Sequence, residues 1–125
     1  MQQYDVINID HHHDIFYEEK DKEKPNCGNW VYQIAGRHQL NSYIWYGNTN
    51  SSHMIEEKEK LYLTNFYTVD DTNYIDWPDK PDELVICLSE PWVPPHLRDL
   101  FYTIIDIANY KYNTHFEILY GEYGN

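Results

Sequence analysis

The chain has 125 residues, enough for one domain with its own core, and its 42% hydrophobic content excludes a disordered acidic tail. Nine Lys and Arg against 21 Asp and Glu leave a formal net charge of −12. That balance excludes a nucleic-acid or anionic-membrane binder, which needs clustered cations, and favours a partner with a basic surface.

Residues 3–9 read as a largely apolar strand, carried by Val6, Ile7 and Ile9, of the kind covered on both faces. The run Asp10-His11-His12-His13-Asp14 follows at once. Residues 18–24 carry charge without apolar period and read as an exposed loop. A helix is predicted from about Asn26, a possible N-cap, to Gly36, burying Trp30, Val31 and Ile34. Residues 42–47 read as a second strand, ended by Gly47-Asn48-Thr49-Asn50. Ser52 is placed to cap a short charged helix over 53–60, before a third strand over 61–69. Residues 70–83, dense in acid and holding two prolines, read as a loop. The apolar run 84–88 reads as a buried strand. A helix over about 95–110 follows, with Leu97, Leu100, Phe101, Ile104, Ile107 and Ala108 on one face. Residues 115–120 read as a last strand.

This alternation predicts a small single-domain α/β fold over residues 1–125, a sheet with helices in two or three layers. Ligands in such sheets gather beyond the carboxyl ends of the strands. If strands 3–9 and 84–88 are parallel neighbours, the His/Asp run and Ser89-Glu90 open onto one crevice.

The chemistry is concentrated in the His/Asp run. Extended geometry would turn Asp10, His12 and Asp14 one way and His11 and His13 the other. Two carboxylates held that close need a positive charge, which a divalent cation supplies. Mixed oxygen and nitrogen ligands suit zinc, with manganese the alternative. Asp10, His12 and Asp14 are the first-choice ligands, and His11 and His13 are alternates or supporting groups. Glu90 is the leading fourth ligand, ahead of Cys27, Asn29 and His53. Cys27 and Cys87 read as small buried hydrophobes, His38, His96 and His115 as ordinary histidines, and Trp30, Trp45 and Trp92 as core. No phosphate loop, nucleophile elbow or His-Glu-x-x-His helix is present, and no catalytic residue is assigned. The chain opens without a basic-then-apolar leader and has two cysteines with no Cys-x-x-Cys pair. It is therefore expected in the cytoplasm with reduced thiols.

An apolar strand running into Asp10-x-His12-x-Asp14 resembles the first metal motif of the arginase and agmatinase superfamily. The resemblance implies that these three residues bind metal and points to a mononuclear metallohydrolase. The family's second motif, Ser-x-Asp-x-Asp, would fall on Cys87-Leu88-Ser89-Glu90-Pro91, where Ser89 and Pro91 stand in place of both aspartates. That leaves the hydrolase as the alternative reading. In overall character the chain also resembles zinc-containing, phage-encoded anti-CRISPR proteins that inhibit the type II RNA-guided nuclease. This second resemblance implies a stoichiometric inhibitor in the cytoplasm of an infected or lysogenic bacterium. Such a protein binds the nuclease, touches no nucleic acid itself, and prevents loading or cleavage of target DNA. The nuclease's positively charged channel suits a partner of this charge. On this first-choice reading the contact surface is Asp70, Asp71, Tyr74, Asp76, Trp77 and Asp79.

Overall fold

The computed structural model describes residues 2–15, 24, 28–48, 55–68, 77–89 and 96–112; for Thr68, His96 and Leu97 the backbone alone is described. Four strands form one parallel sheet: β1 (Tyr4–Ile9), β2 (Leu40–Gly47), β3 (Asn65–Thr68) and β4 (Glu83–Leu88), in the order β3-β2-β1-β4. Helix α1 (Trp30–Gly36) joins β1 to β2, and helix α2 (His96–Tyr112) follows β4. The chain is thus the small α/β domain that the alternation predicts.

Side chains alternate across the sheet, so each strand feeds two cores. Ile7, Ile9, Ile44 and Tyr46 bury one face against Phe101, Ile104 and Ile105 of α2. Val6, Tyr43 and Trp45 bury the other with Ile15 and Val31, the latter from α1. Covering both faces explains why β1 is nearly continuous in apolar residues.

Several boundaries differ from expectation for physical reasons. Helix α1 starts at Trp30 with Asn29 as N-cap, although the Asn29 side chain makes no capping bond and donates instead to the Lys24 carbonyl at 2.9 Å. Asn26 lies outside the described residues. The charged helix expected over 53–60 is replaced, among the described residues, by turns and a 3₁₀ helix at Lys60–Tyr62. Glu56 to Lys60 offer no apolar stripe to hold an α-helix. The third strand begins at Asn65, because the Thr64 hydroxyl takes the Tyr43 N–H at 2.9 Å and interrupts the ladder. On α2 it is Ile105 that is buried, while Ile107 is 44% exposed. Residues 115–120 lie outside the described residues.

The parallel register pairs β1 with β2 on one side (Ile9 beside Tyr46) and with β4 on the other (Ile9 beside Leu88). The connection after β1 leads to β2 and onward to β3, and the chain then returns to the far side of β1 as β4. The reversal falls between β1 and β4, the position beyond whose strand ends open α/β sheets bind ligands. Asp10 and Ser89 both emerge there, and the Ser89 N–H donates to the Ile9 carbonyl at 2.9 Å.

Candidate metal centre

After Ile9 the chain does not continue extended. It bends at His11 and His12, and Asp14 takes a left-handed conformation with φ 56°. That region is costly for most side chains and tolerated by Asp, and a residue held there needs support from its surroundings. The support is visible. The Asp14 carbonyl accepts from the Val31 N–H at 3.0 Å, and its Oδ2 accepts from Trp30 Nε1 at 2.6 Å and from Asn8 Nδ2 at 3.3 Å. Two aromatic side chains of β2 hold the other carbonyls of the turn. Trp45 Nε1 donates to the Asp10 carbonyl at 2.7 Å, and the Tyr43 hydroxyl donates to the His13 carbonyl at 2.5 Å.

The bend corrects the alternation expected for the run. His11 and His12 lie side by side and half-buried, with ring centroids 4.9 Å apart, rather than on opposite sides. His12 Nδ1 lies 3.5 Å from Asp10 Oδ1, and the His12 N–H donates to that oxygen at 3.1 Å. His11 Nδ1 faces the Asn48 carboxamide at 3.1 Å. His13 turns into the core against Trp45, where its Nδ1 accepts from the Ile15 N–H at 3.0 Å. The proton of a neutral ring therefore sits on Nε2, which faces Glu59 Oε1 at 3.3 Å. Both residues of this pair are buried, and burial raises the Glu59 carboxyl above its usual range. His13 is thus a packed anchor of the turn.

Asp10 and Asp14 are both fully buried. Burial first, and the neighbouring Asp14 carboxylate second, push the Asp10 carboxyl from its ordinary value of 3.8 up to about 9. The His12 N–H, and after it the Ser89 side chain, counter part of this rise. Asp10 Oδ2 has no hydrogen-bond donor among the described residues, and neither does the buried Asn8 Oδ1. Cys87, beside Asn8 in the register, shares this environment. Burial, then the charges of Asp14 and Asp10, raise its thiol to about 12. One face of the sheet thus turns from Val6 to Asn8 on β1 and from Val85 to Cys87 on β4, and Asp10 and Ser89 follow just past the two strands.

Two close carboxylates with an oxygen lacking a donor fit either a shared proton or a bound cation. Among the described residues, however, no three His, Cys, Asp or Glu side chains form a ready ligand group. Asp10 and Asp14 are brought together and His12 stands beside Asp10. His11 and His13 point to other partners, and Asn29 serves the start of α1. Glu90, Cys27 and His53 lie outside the described residues. Of the expected contact surface, Asp70, Asp71, Tyr74 and Asp76 lie outside them too. Asp79 is exposed, whereas Trp77 packs on the core beneath α2, edge-on to Tyr112 at 6.2 Å.

Ser89 stands beside the run as expected, whereas Asn8, Tyr43 and Glu59 belong to the site and its supports without having been singled out from sequence. Asn8 had a signal, being the one polar side chain within the run from Val6 to Ile9. Glu59, inside a charged run, had none. No protein-family profile matches the chain, and no curated protein or solved structure is significantly similar to it. No helix among the described residues is long and apolar enough to cross a membrane.

Proposed function

We propose that the chain binds a divalent metal ion through Asp10 and Asp14 and acts as a mononuclear metallohydrolase. The observation that carries this reading is a buried carboxylate pair at the point of the sheet where α/β proteins bind ligands. The pair is costly as it stands and fits a cation. When bound, such an ion polarises a substrate oxygen or activates a water. The chain's own groups do the rest. Trp30 and Asn8 orient Asp14, Ser89 orients Asp10, and His12 at the rim is 22% exposed and able to hold or pass a proton. The Asp-x-His-x-Asp pattern directs the first substrate panel to guanidino compounds.

The test is elemental analysis of the purified chain and its Asp10→Asn variant, followed by that panel. About one ion per chain, lost in the variant, is expected. Equal metal content in the two proteins overturns the reading.

The net charge of −12 favours a second reading, an acidic, metal-stabilised inhibitor of a type II RNA-guided nuclease. It predicts stoichiometric inhibition that weakens as salt rises. Inhibition absent at low salt removes it.

A further inference from the structure

The amide of Asn8 has its orientation fixed by its neighbours. The Tyr43 hydroxyl spends its proton on the His13 carbonyl, so toward Asn8 it can only accept. Asn8 must therefore present its NH₂ there, and Nδ2 donates to Tyr43 Oη at 3.0 Å. The same nitrogen faces Asp14 Oδ2 at 3.3 Å and the His12 carbonyl at 3.5 Å, both acceptors. Three acceptors on one side leave Oδ1 on the other. It is fully buried there, with no donor among the described residues, and Asp10 Oδ2, two residues on and just past β1, has none either. A buried carbonyl left this way is costly unless something electropositive meets it. Two such oxygens from residues two apart in the chain call for the same thing.

We infer that Asn8 is a ligand of the metal centre, its carboxamide oxygen completing an oxygen-rich set with the carboxylates of Asp10 and Asp14. The inference rests on the proposed metal reading and adds to it a neutral ligand inside the strand. Carboxamide oxygen is an ordinary ligand of hard divalent ions. Tyr43 then acts as the positioning residue that keeps this oxygen turned toward the ion.

The test uses the full chain and Mn²⁺ alone, with free ion followed by electron paramagnetic resonance. Four proteins are compared: wild type, Asn8→Leu, Asn8→Asp and Asp10→Asn. Asn8→Leu keeps the volume and removes the oxygen, and a loss of about 10–100-fold in Mn²⁺ affinity is expected, as for other groups that support a metal. Asn8→Asp keeps an oxygen and sacrifices the NH₂ bonds, and it is expected to bind at least as tightly as wild type. A purely structural Asn8 gives the opposite order, because the aspartate loses both N–H donors and adds a charge beside Asp14. Asn8→Asp binding no better than Asn8→Leu therefore overturns the inference, as does Asn8→Leu matching wild type. Mn²⁺ bound undiminished by Asp10→Asn overturns the metal reading itself. If the Asn8 variants fail to fold, the wild-type Asn8 ¹³Cγ resonance decides: it shifts on adding one equivalent of Zn²⁺ if Oδ1 coordinates, and its staying put overturns the inference.

Discussion

The two faces of the sheet are built from the same strands and differ in what they are for. Beneath α2 the inward residues of β1 and β2 are Ile7, Ile9, Ile44 and Tyr46, with Phe101, Ile104 and Ile105 opposite. Beneath α1 the intervening residues begin as core, with Val6, Tyr43 and Trp45, but β1 continues with Asn8 and is followed at once by Asp10. One face is apolar from the middle of the strands to their carboxyl ends, and its one buried charge, Asp5 near the start of β1, is met by the Ser42 hydroxyl and the Asn41 amide. The other turns polar at the carboxyl ends. The difference teaches how a small domain carries a costly site: burial on one side supplies stability that the other side's carboxylates consume.

The sharpest way to break this comparison is to mutate one face at a time. Ile44→Ala, beneath α2, is expected to cost about 2–5 kcal/mol in chemical denaturation, with metal binding per folded molecule unchanged. Asp10→Asn, on the other face, is expected to do the reverse. It removes a carboxyl that must hold its proton to stay buried, raises the melting temperature of the metal-free chain at neutral pH, and abolishes metal binding. If Asp10→Asn lowers the metal-free melting temperature, the carboxylate pair is not the burden described.

The same contrast has a pH signature. The folded-state value for Asp10, about 9, lies above its ordinary 3.8, so the folded protein holds a proton that the unfolded chain releases. The stability this provides is complete below the ordinary value and is lost as pH rises through the folded one. Metal-free protein is therefore expected to lose stability steadily from about pH 4 to about pH 9, a slope that Asp10→Asn flattens. The stabilisation given by added Zn²⁺ is expected to grow over the same range, because the ion displaces that proton. Melting curves in buffers of matched ionic strength check both slopes.

A smaller effect separates the turn from the face that supports it. Tyr43→Phe removes the donor to the His13 carbonyl and the acceptor for Asn8, and is expected to cost about 1–3 kcal/mol and to weaken metal binding. Smallest of all is Tyr110→Ser on the outer side of α2. At 91% exposure it should stay within about 0.5 kcal/mol, by urea denaturation, and leave metal binding untouched.

Much of the fold was legible, because burial imposes periodicity. Val6-Ile7 and Ile9, Ile44 to Tyr46, and Leu84 to Leu88 announced strands, and Phe101, Ile104 and Ala108 announced a helix. Charged segments were read less well. Glu56 to Lys60 lacks an apolar stripe, and its one buried member, Glu59, is defined by a histidine 46 positions earlier, a pairing no local pattern records. At the site, Asp10 and Asp14 were legible as a pair. The positions of His11, His12 and His13 were not, because a single left-handed residue at Asp14 undoes the alternation an extended chain would give.

By itself the sequence determined the class of fold, the net charge, and a pair of carboxylates at the end of the first strand, since each follows from residue type and short-range spacing. Only the tertiary structure decided that β4 lies beside β1 on the side opposite β2, that Asp10 therefore sits at the switch in strand order, and that Asn8, Tyr43 and Trp30 set the orientation of the groups around it. Strand order and hydrogen-bond partners join residues far apart in the chain, and their energies depend on distances that no local pattern specifies.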